Sequence, residues 1–186
     1  MIKLSVREET TPKITFSSYL RKIKGKRRTT SLTSSSGAEL LITFIGASLG
    51  IGIVAVLSLA YKMPLLVPSF GASATLIYGA PKGPFAQPRN VILGHILSAA
   101  VGVGIYTLFG LTWWSATMAT SIAIVAMLFT KTTHPPAGAT AMIAVLTKAS
   151  PIFIITPVAI GAMILVLIGL IVNNFSVNRS YPNYWV

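Results

Sequence analysis

The sequence predicts an all-α polytopic membrane protein with four full transmembrane helices, two broken half-helix segments and an internal inverted repeat of three plus three. Three observations lead there. Hydrophobic residues make up 53% of the 186-residue chain and charged residues only 10%, with a mean hydropathy of +0.76. That balance belongs to integral membrane proteins rather than soluble domains. The apolar runs approach the ~20 residues that a ~30 Å hydrocarbon core asks of a helix. Finally, one pattern, P-x-x-G-A-[ST]-A, occurs twice: Pro68-Ser69-Phe70-Gly71-Ala72-Ser73-Ala74 and Pro135-Pro136-Ala137-Gly138-Ala139-Thr140-Ala141, sixty-seven residues apart.

The formal net charge of +12 is unevenly placed: nine of the fifteen basic residues lie in the first 28 positions. A basic tail beside apolar spans marks a cytoplasmic N-terminus that touches anionic lipid, so membrane lipid and no nucleic acid is the expected partner. The chain has no cysteine, which excludes disulfides, thiolate metal sites and cysteine nucleophiles. The N-terminus lacks the apolar core of a secretory signal. Residues 10–36 are rich in Ser, Thr, Lys and Arg, so two locations stay open: the cell (inner or plasma) membrane, and the chloroplast envelope.

Taken in order, residues 1–36 form the basic cytoplasmic tail and 37–110 the first transmembrane repeat. Residues 111–176 form the second repeat and 177–186 a C-terminal tail. Glu39 to Tyr61 is the first span; Glu39 complements the helix dipole, and Gly46, Ser48, Gly50 and Gly52 offer a face for close packing. Residues 62–81 are the first broken segment, a proline-marked arm followed by a half-helix starting near Ser69–Gly71. Residues 82–90 are a Pro/Gly-rich loop. Val91 to Gly110 is the next span, with His95 one turn inside. Thr112-Trp113-Trp114 marks an interfacial turn, and Ser115 to Thr130 is another span. Lys131 to Leu146 is the second broken segment: Pro135 and Pro136 fix an extended backbone before them and suit the first turn of a helix. Pro151 to Asn174 is the last span, interrupted at Pro157 and Gly161. Arg179, Tyr181, Tyr184 and Trp185 read as an interfacial anchor.

Either each broken segment crosses, giving six crossings and opposed halves, or each dips in and returns, giving four spans and parallel halves. With six crossings the tail, Lys82, Arg89, Lys131 and Arg179 share one side, leaving Lys62 and Lys148 on the other. The positive-inside tendency favours that arrangement.

Three segments then stand out together: HPPAGATA at 134–141, PSFGASATLIY at 68–78 and PFAQPRNVILGH at 84–95. In that order they resemble the HPP family of small integral membrane proteins, over roughly Glu39 to Asn174. Plant and cyanobacterial members are associated with nitrite transport, in plants across the chloroplast envelope. The resemblance implies that activity; composition and spacing do not show it.

The residues themselves suggest how a small anion would be held. Substrates of inverted-repeat transporters sit near the midplane, at broken helices. A helix N-terminus carries unpaired N–H groups and partial positive charge, so two tips facing each other would bind a small inorganic anion through backbone. The expected binding residues are Ser69, Phe70, Gly71, Ala72, Ser73, Thr133, His134, Pro135, Pro136, Gly138, Ala139 and Thr140. Arg89, Asn90, Lys131 and His95 are expected along the pathway. His134, then His95, are the candidates for proton coupling, since histidine titrates near neutrality. The plainer readings are kinks for the Pro/Gly pairs, a tied-off carbonyl for His134, an interhelical hydrogen bond for His95 and lipid anchoring for Arg89 and Lys131. No metal site, cofactor or enzymatic activity is expected: the chain has no acidic pair, no phosphate loop, and two histidines far apart in sequence. A non-transporting structural or assembly subunit is the alternative function. The glycine-rich faces make a homo-oligomer plausible.

Overall fold

The structure, a computed structural model, describes residues 36–60 and 67–185. The basic tail, Lys62 and the arm leading into the first broken segment lie outside the described residues. Ser35–Val186 cluster as one compact unit. Among the described residues there are six α-helices and no strand. They are α1 (Gly37–Ala60), α2 (Ser69–Ala74, continued as a π-helical turn Thr75–Gly79), α3 (Pro88–Phe109), α4 (Trp113–Phe129), α5 (Pro135–Leu146) and α6 (Ile160–Asn174).

Local chemistry sets the ends. α1 opens with a reciprocal cap: the Glu39 amide donates to Ser36 Oγ and the Ser36 amide to Glu39 Oε2, both at 3.3 Å, which satisfies donors the helix leaves free. α4 repeats the device with Thr112 and Ser115. Gly110, at φ 69°, ends α3 and makes the tight turn into α4 that only a residue tolerant of the left-handed region allows. α5 begins at Pro135 after an extended His134 (φ −134°, ψ 101°), so the expected arm-then-helix break is present. The last apolar run also breaks as expected: Thr156 has extended dihedrals (φ −125°, ψ 113°) immediately before Pro157.

Packing fixes the helix directions. An added Cβ on Gly94 of α3 would sit 2.9 Å from His134 Cβ, and one on Gly102 would sit 2.7 Å from Ala144 Cβ, so α3 and α5 run parallel. Gly161 of α6 faces Phe70 and Gly169 faces Ile77, so α6 and α2 run parallel too. Gly46 of α1 meets Val172 and Gly50 meets Leu165, which makes α1 antiparallel to α6. Ser69 meets Thr140 and Ser73 meets His134; α2 is therefore antiparallel to α5. Arg89 at the start of α3 reaches the Thr130 carbonyl at the end of α4, at 3.5 Å. Hence α1, α3 and α5 point one way and α2, α4 and α6 the other. Lys82, Arg89, Lys131 and Arg179 gather at one end of the bundle (the Arg89 end), and Lys148 lies at the opposite end.

By length and apolarity three runs can cross a membrane, Gly37–Ala60, Pro88–Phe109 and Pro151–Asn174. The sequence predicts a fourth, Ser115 to Thr130; it is present as α4, which at 17 residues is shorter than those three. Outward-facing Phe44, Leu59, Val125 and Phe129 are all more than half exposed, as lipid-facing side chains should be.

The C-terminal segment corrects an expectation. Arg179 and Tyr181 turn inward rather than anchoring at an interface. The Arg179 guanidinium donates to the carbonyls of Tyr78 and Glu39, each at 2.8 Å, to Thr43 Oγ1 at 2.9 Å and to Asn173 Oδ1 at 3.2 Å. A fork of five N–H donors suits such a set of acceptors. Tyr181 is 1% exposed and donates to the Ala86 carbonyl at 2.8 Å; burial holds its phenol above the ordinary range. Tyr184 and Trp185 do stay exposed.

Candidate functional site

Between α2, α3 and α5 lies a cluster of buried polar side chains. Ser69 and Ser73 are one turn apart and so share a face of α2. Thr140 comes from the middle of α5, His95 from the second turn of α3, and His134 from the extended residue before α5. Ser73, His95, His134 and Thr140 are fully buried, and Ser69 is 4% exposed. Ser69 Oγ and Thr140 Oγ1 are 2.8 Å apart. Thr140 Oγ1 is 2.8 Å from His95 Nδ1, and His95 Nε2 is 2.8 Å from Ser73 Oγ. Ser73 Oγ is 2.9 Å from His134 Nε2, and His134 Nδ1 is 2.7 Å from the Phe85 carbonyl oxygen. Ser73 also lies 3.1 Å from the Ser69 carbonyl. The two imidazole centroids are 5.0 Å apart, and Phe70 packs edge-on against His95 at 5.3 Å.

Ser73 and Thr140 occupy the same place in the two copies of P-x-x-G-A-[ST]-A. They bond opposite nitrogens of one imidazole. The sixty-seven-residue offset also relates Gly94 to Gly161 and Gly102 to Gly169, the glycines at which α3 receives α5 and α6 receives α2. That second correspondence was available in the sequence, though it carries no signal without knowing which helices touch.

The geometry does not place two half-helix tips face to face. α2 and α5 overlap side by side and antiparallel, each tip lying beside the other helix's body. Most of their leading donors are also spent or absent. Pro68, Pro135 and Pro136 have no N–H. The Ala137 amide donates to the His134 carbonyl at 2.9 Å, Phe70 to Val67 at 2.8 Å and Gly71 to Pro68 at 3.2 Å. Backbone alone therefore makes no anion cradle here; the side chains gathered at the overlap are the polar feature.

The expected site residues divide accordingly. Ser69, Ser73, His134 and Thr140 meet, and His95, expected only along the pathway, sits at their centre. Gly71 and Ala139 are exposed. Ala72, Pro135 and Pro136 line a lateral pocket with Thr75 and Leu76. Gly138 faces Ile124 and Thr120 of α4. Asn90 donates to the Thr133 carbonyl at 2.9 Å, Thr133 reaches the Met127 carbonyl at 3.5 Å, and Lys131 is exposed at φ 57°. Sequence reasoning missed the Phe85 carbonyl and Gln87. Gln87 is fully buried, donates to the Pro81 and Gly83 carbonyls at 2.9 Å and accepts from the Asn183 amide at 2.8 Å. It holds the loop that presents Phe85, and its place in PFAQPRN was the one available hint. Among the described residues no group of three or more His, Cys, Asp or Glu side chains could hold a metal ion.

A cavity of about 600 Å³ opens toward the Lys148 end. Its walls include Val67 and Pro68, which precede Ser69, and Ile143, one turn past Thr140; Ser69 and Thr140 lie behind that wall. Lys148 and Thr156, at the break before α6, line it as well. Toward the Arg89 end the cluster is covered by the 81–87 loop and the C-terminal segment tied to it.

Comparison with known proteins agrees with this architecture. A curated transmembrane protein of Dictyostelium discoideum is 40% identical over 185 residues, covering 93% of this chain and 59% of that protein. A second, from the same organism, is 42% identical over 161 residues, covering 79% of this chain and 56% of its own length. The chain thus spans less than two thirds of the curated relatives it matches. No solved structure matches. The family model for the HPP transmembrane region matches residues 33–182. On that match, and on the apolar helices that surround its buried polar cluster, this chain is an integral membrane protein of the HPP family.

Proposed function

We propose that the protein carries a small monovalent anion, nitrite first among the candidates, across the membrane in which it sits. The observation that carries this reading is the buried cluster of Ser69, Ser73, His95, His134 and Thr140 beside a cavity open to one end of the bundle. Polar and ionisable groups at membrane depth are costly and usually mark a substrate or proton path. Here three hydroxyls and two imidazoles supply hydrogen-bond donors without a fixed charge. That suits an ion that must be held and then released. Lys148 at the cavity mouth draws anions in, and Arg89 with Lys131 does the same at the far end.

Supporting the six-crossing arrangement are the alternating helix directions, the shared offset of the motif and packing glycines, and the gathering of Lys82, Arg89, Lys131 and Arg179 at one end. On this reading α1–α3 and α4–α6 are inverted halves, and the Arg89 end is cytoplasmic. The lack of enzymatic activity is part of the proposal; it rests on the absence of any carboxylate or cysteine from the cluster, no longer on the separation of the histidines, which the fold brings together.

A second reading has one observation in its favour. Every described buried side-chain polar atom has a hydrogen-bond partner within the protein, as a purely structural polar core would require. Flux separates the two. Purified protein in liposomes, offered nitrite, nitrate, formate, bicarbonate and chloride, is expected to move nitrite above the rate of protein-free vesicles. No movement of any of these ions overturns the transport reading and leaves the structural one.

A further inference from the structure

We propose that the five cluster side chains form a proton relay between the cavity and His134, and that the proton is the ion coupled to anion movement. The argument starts from a carbonyl. The Phe85 oxygen can only accept, so His134 Nδ1, 2.7 Å away, carries a proton. In neutral His134 the other nitrogen, Nε2, must then accept. Its partner is Ser73 Oγ at 2.9 Å, closer than the Ser69 carbonyl to which Ser73 can otherwise donate at 3.1 Å, so the Ser73 hydroxyl donates to it. A hydroxyl has one proton; Ser73 therefore accepts from His95 Nε2 at 2.8 Å. That makes His95 Nδ1 an acceptor, filled by the Thr140 hydroxyl at 2.8 Å. Thr140 in turn accepts from Ser69 at 2.8 Å. One carbonyl thus sets every donor from Ser69 to Phe85, and all five bonds point the same way.

A proton arriving from the cavity joins Ser69 Oγ. The original Ser69 proton passes to Thr140, that of Thr140 to His95 Nδ1, that of His95 Nε2 to Ser73, and that of Ser73 to His134 Nε2. Only O–H and N–H bonds form and break, and the balance is one proton in at Ser69 and one imidazolium at His134. All the hydrogen bonds survive; those between side chains are reversed. His95 has exchanged Nε2–H for Nδ1–H. The new cation lies beside the donors that would hold the anion, so each ion favours binding of the other. The titratable and charged groups on the elements packed around His134 are His95 and Arg89 on α3, Lys131 beyond α4, Tyr78 at the end of α2 and Lys82 on the Phe85 loop. None is a carboxylate, so the other base in the cluster is the imidazole of His95. An end state with the same protons but no relay leaves His95 as Nε2–H, with Ser73 turned to the Ser69 carbonyl at 3.1 Å.

The relay predicts a coupled tautomer change, and the chain has only two histidines. Protein labelled with ¹⁵N-histidine, carrying no histidine tag, can be placed in nanodiscs and titrated by NMR, with the His95→Asn variant assigning the signals. The expected result is Nδ1–H His134 and Nε2–H His95 at high pH. On acidification His134 becomes doubly protonated and His95 converts to Nδ1–H in the same titration. A His95 that keeps Nε2–H throughout overturns the relay. This readout needs no transport, whereas the coupling rests on the transport reading. In vesicles with an internal pH dye, nitrite uptake should bring protons in above the background of protein-free vesicles. Ser73→Ala should lower that proton entry at least tenfold, and Ser73→Thr should restore it. Nitrite entry without proton entry overturns the coupling alone; the tautomer change without any flux overturns the transport reading and keeps the relay.

Discussion

The two copies of the seven-residue motif make an instructive pair. Both start a short helix after proline, both place a hydroxyl at the sixth position, and those hydroxyls bond the two nitrogens of His95. Around that shared plan the copies differ. His134 precedes the second copy, and Val67 holds the corresponding place before the first. The helix that receives the second copy, α3, carries His95, and α6 carries Ala162 at the same offset. The scaffold is thus duplicated in its packing and its hydroxyls, but the imidazoles belong to one side only. A symmetric ring of hydroxyls would have no preferred direction. Two imidazoles on one side, ending on a carbonyl, give the hydrogen bonds a sense.

Breaking that asymmetry should have the largest effect. His134→Val, which gives the second copy the residue of the first, is expected to cut nitrite flux in liposomes by more than about tenfold, the loss of ~1.4 kcal/mol or more. Flux near the wild-type rate would show that the unpaired histidine is only structural. Next come the equivalent hydroxyls. Ser73→Ala and Thr140→Val should each cost about 1–3 kcal/mol by leaving a buried imidazole nitrogen unpartnered. Ser73→Ala should cost more, since it touches both rings. Because both hydroxyls serve His95, the double variant should cost less than the sum; strict additivity in denaturant unfolding would deny the shared ring. Gly94→Ala comes third. Its Cβ would meet His134 Cβ and the Thr132 carbonyl, each at 2.9 Å, and forcing that contact should destabilise by about 1–3 kcal/mol, seen as a lower thermal midpoint.

The motif glycines should matter least. An added Cβ at Gly71 meets nothing within 4 Å, and at Gly138 only Ile124 and Thr120 at 3.8 and 3.9 Å. Gly71→Ala and Gly138→Ala should therefore leave flux unchanged and stabilise their helices by up to ~1 kcal/mol. Loss of flux in both would return the anion to the glycine backbone.

Much of this architecture was legible in one dimension. Apolar run length located the spans, and the prolines located the starts of both half-helices to within a residue or two, because a missing N–H and a fixed φ act locally. The copies of the motif named Ser69, Ser73 and Thr140, and His134 stands directly before the second. What the sequence could not supply was which surfaces meet. His95 and His134 are neighbours only because Gly94 lets α5 approach α3, a tertiary fact. The same limit explains the misplaced tips: half-helix starts can be read, but whether they face or pass one another depends on packing at the paired glycines. Arg179 and Tyr181 have the residue types of an interfacial belt, and nothing in their spacing signals that they fold back onto helix ends.

The shortness of α4 bears on the surrounding lipid. Its 17 residues rise about 25 Å, several ångströms less than an average hydrocarbon core. Trp113 at one end and Phe129 at the other are each more than four-fifths exposed. On the six-crossing reading, acyl chains next to this helix must compress or the helix must sink, and the strain would fall on the side of the bundle that also supports α5. Bilayers of shorter acyl chains should therefore hold the protein with less distortion than thick ones. Membrane thickness would then act on the second break through the helix beside it.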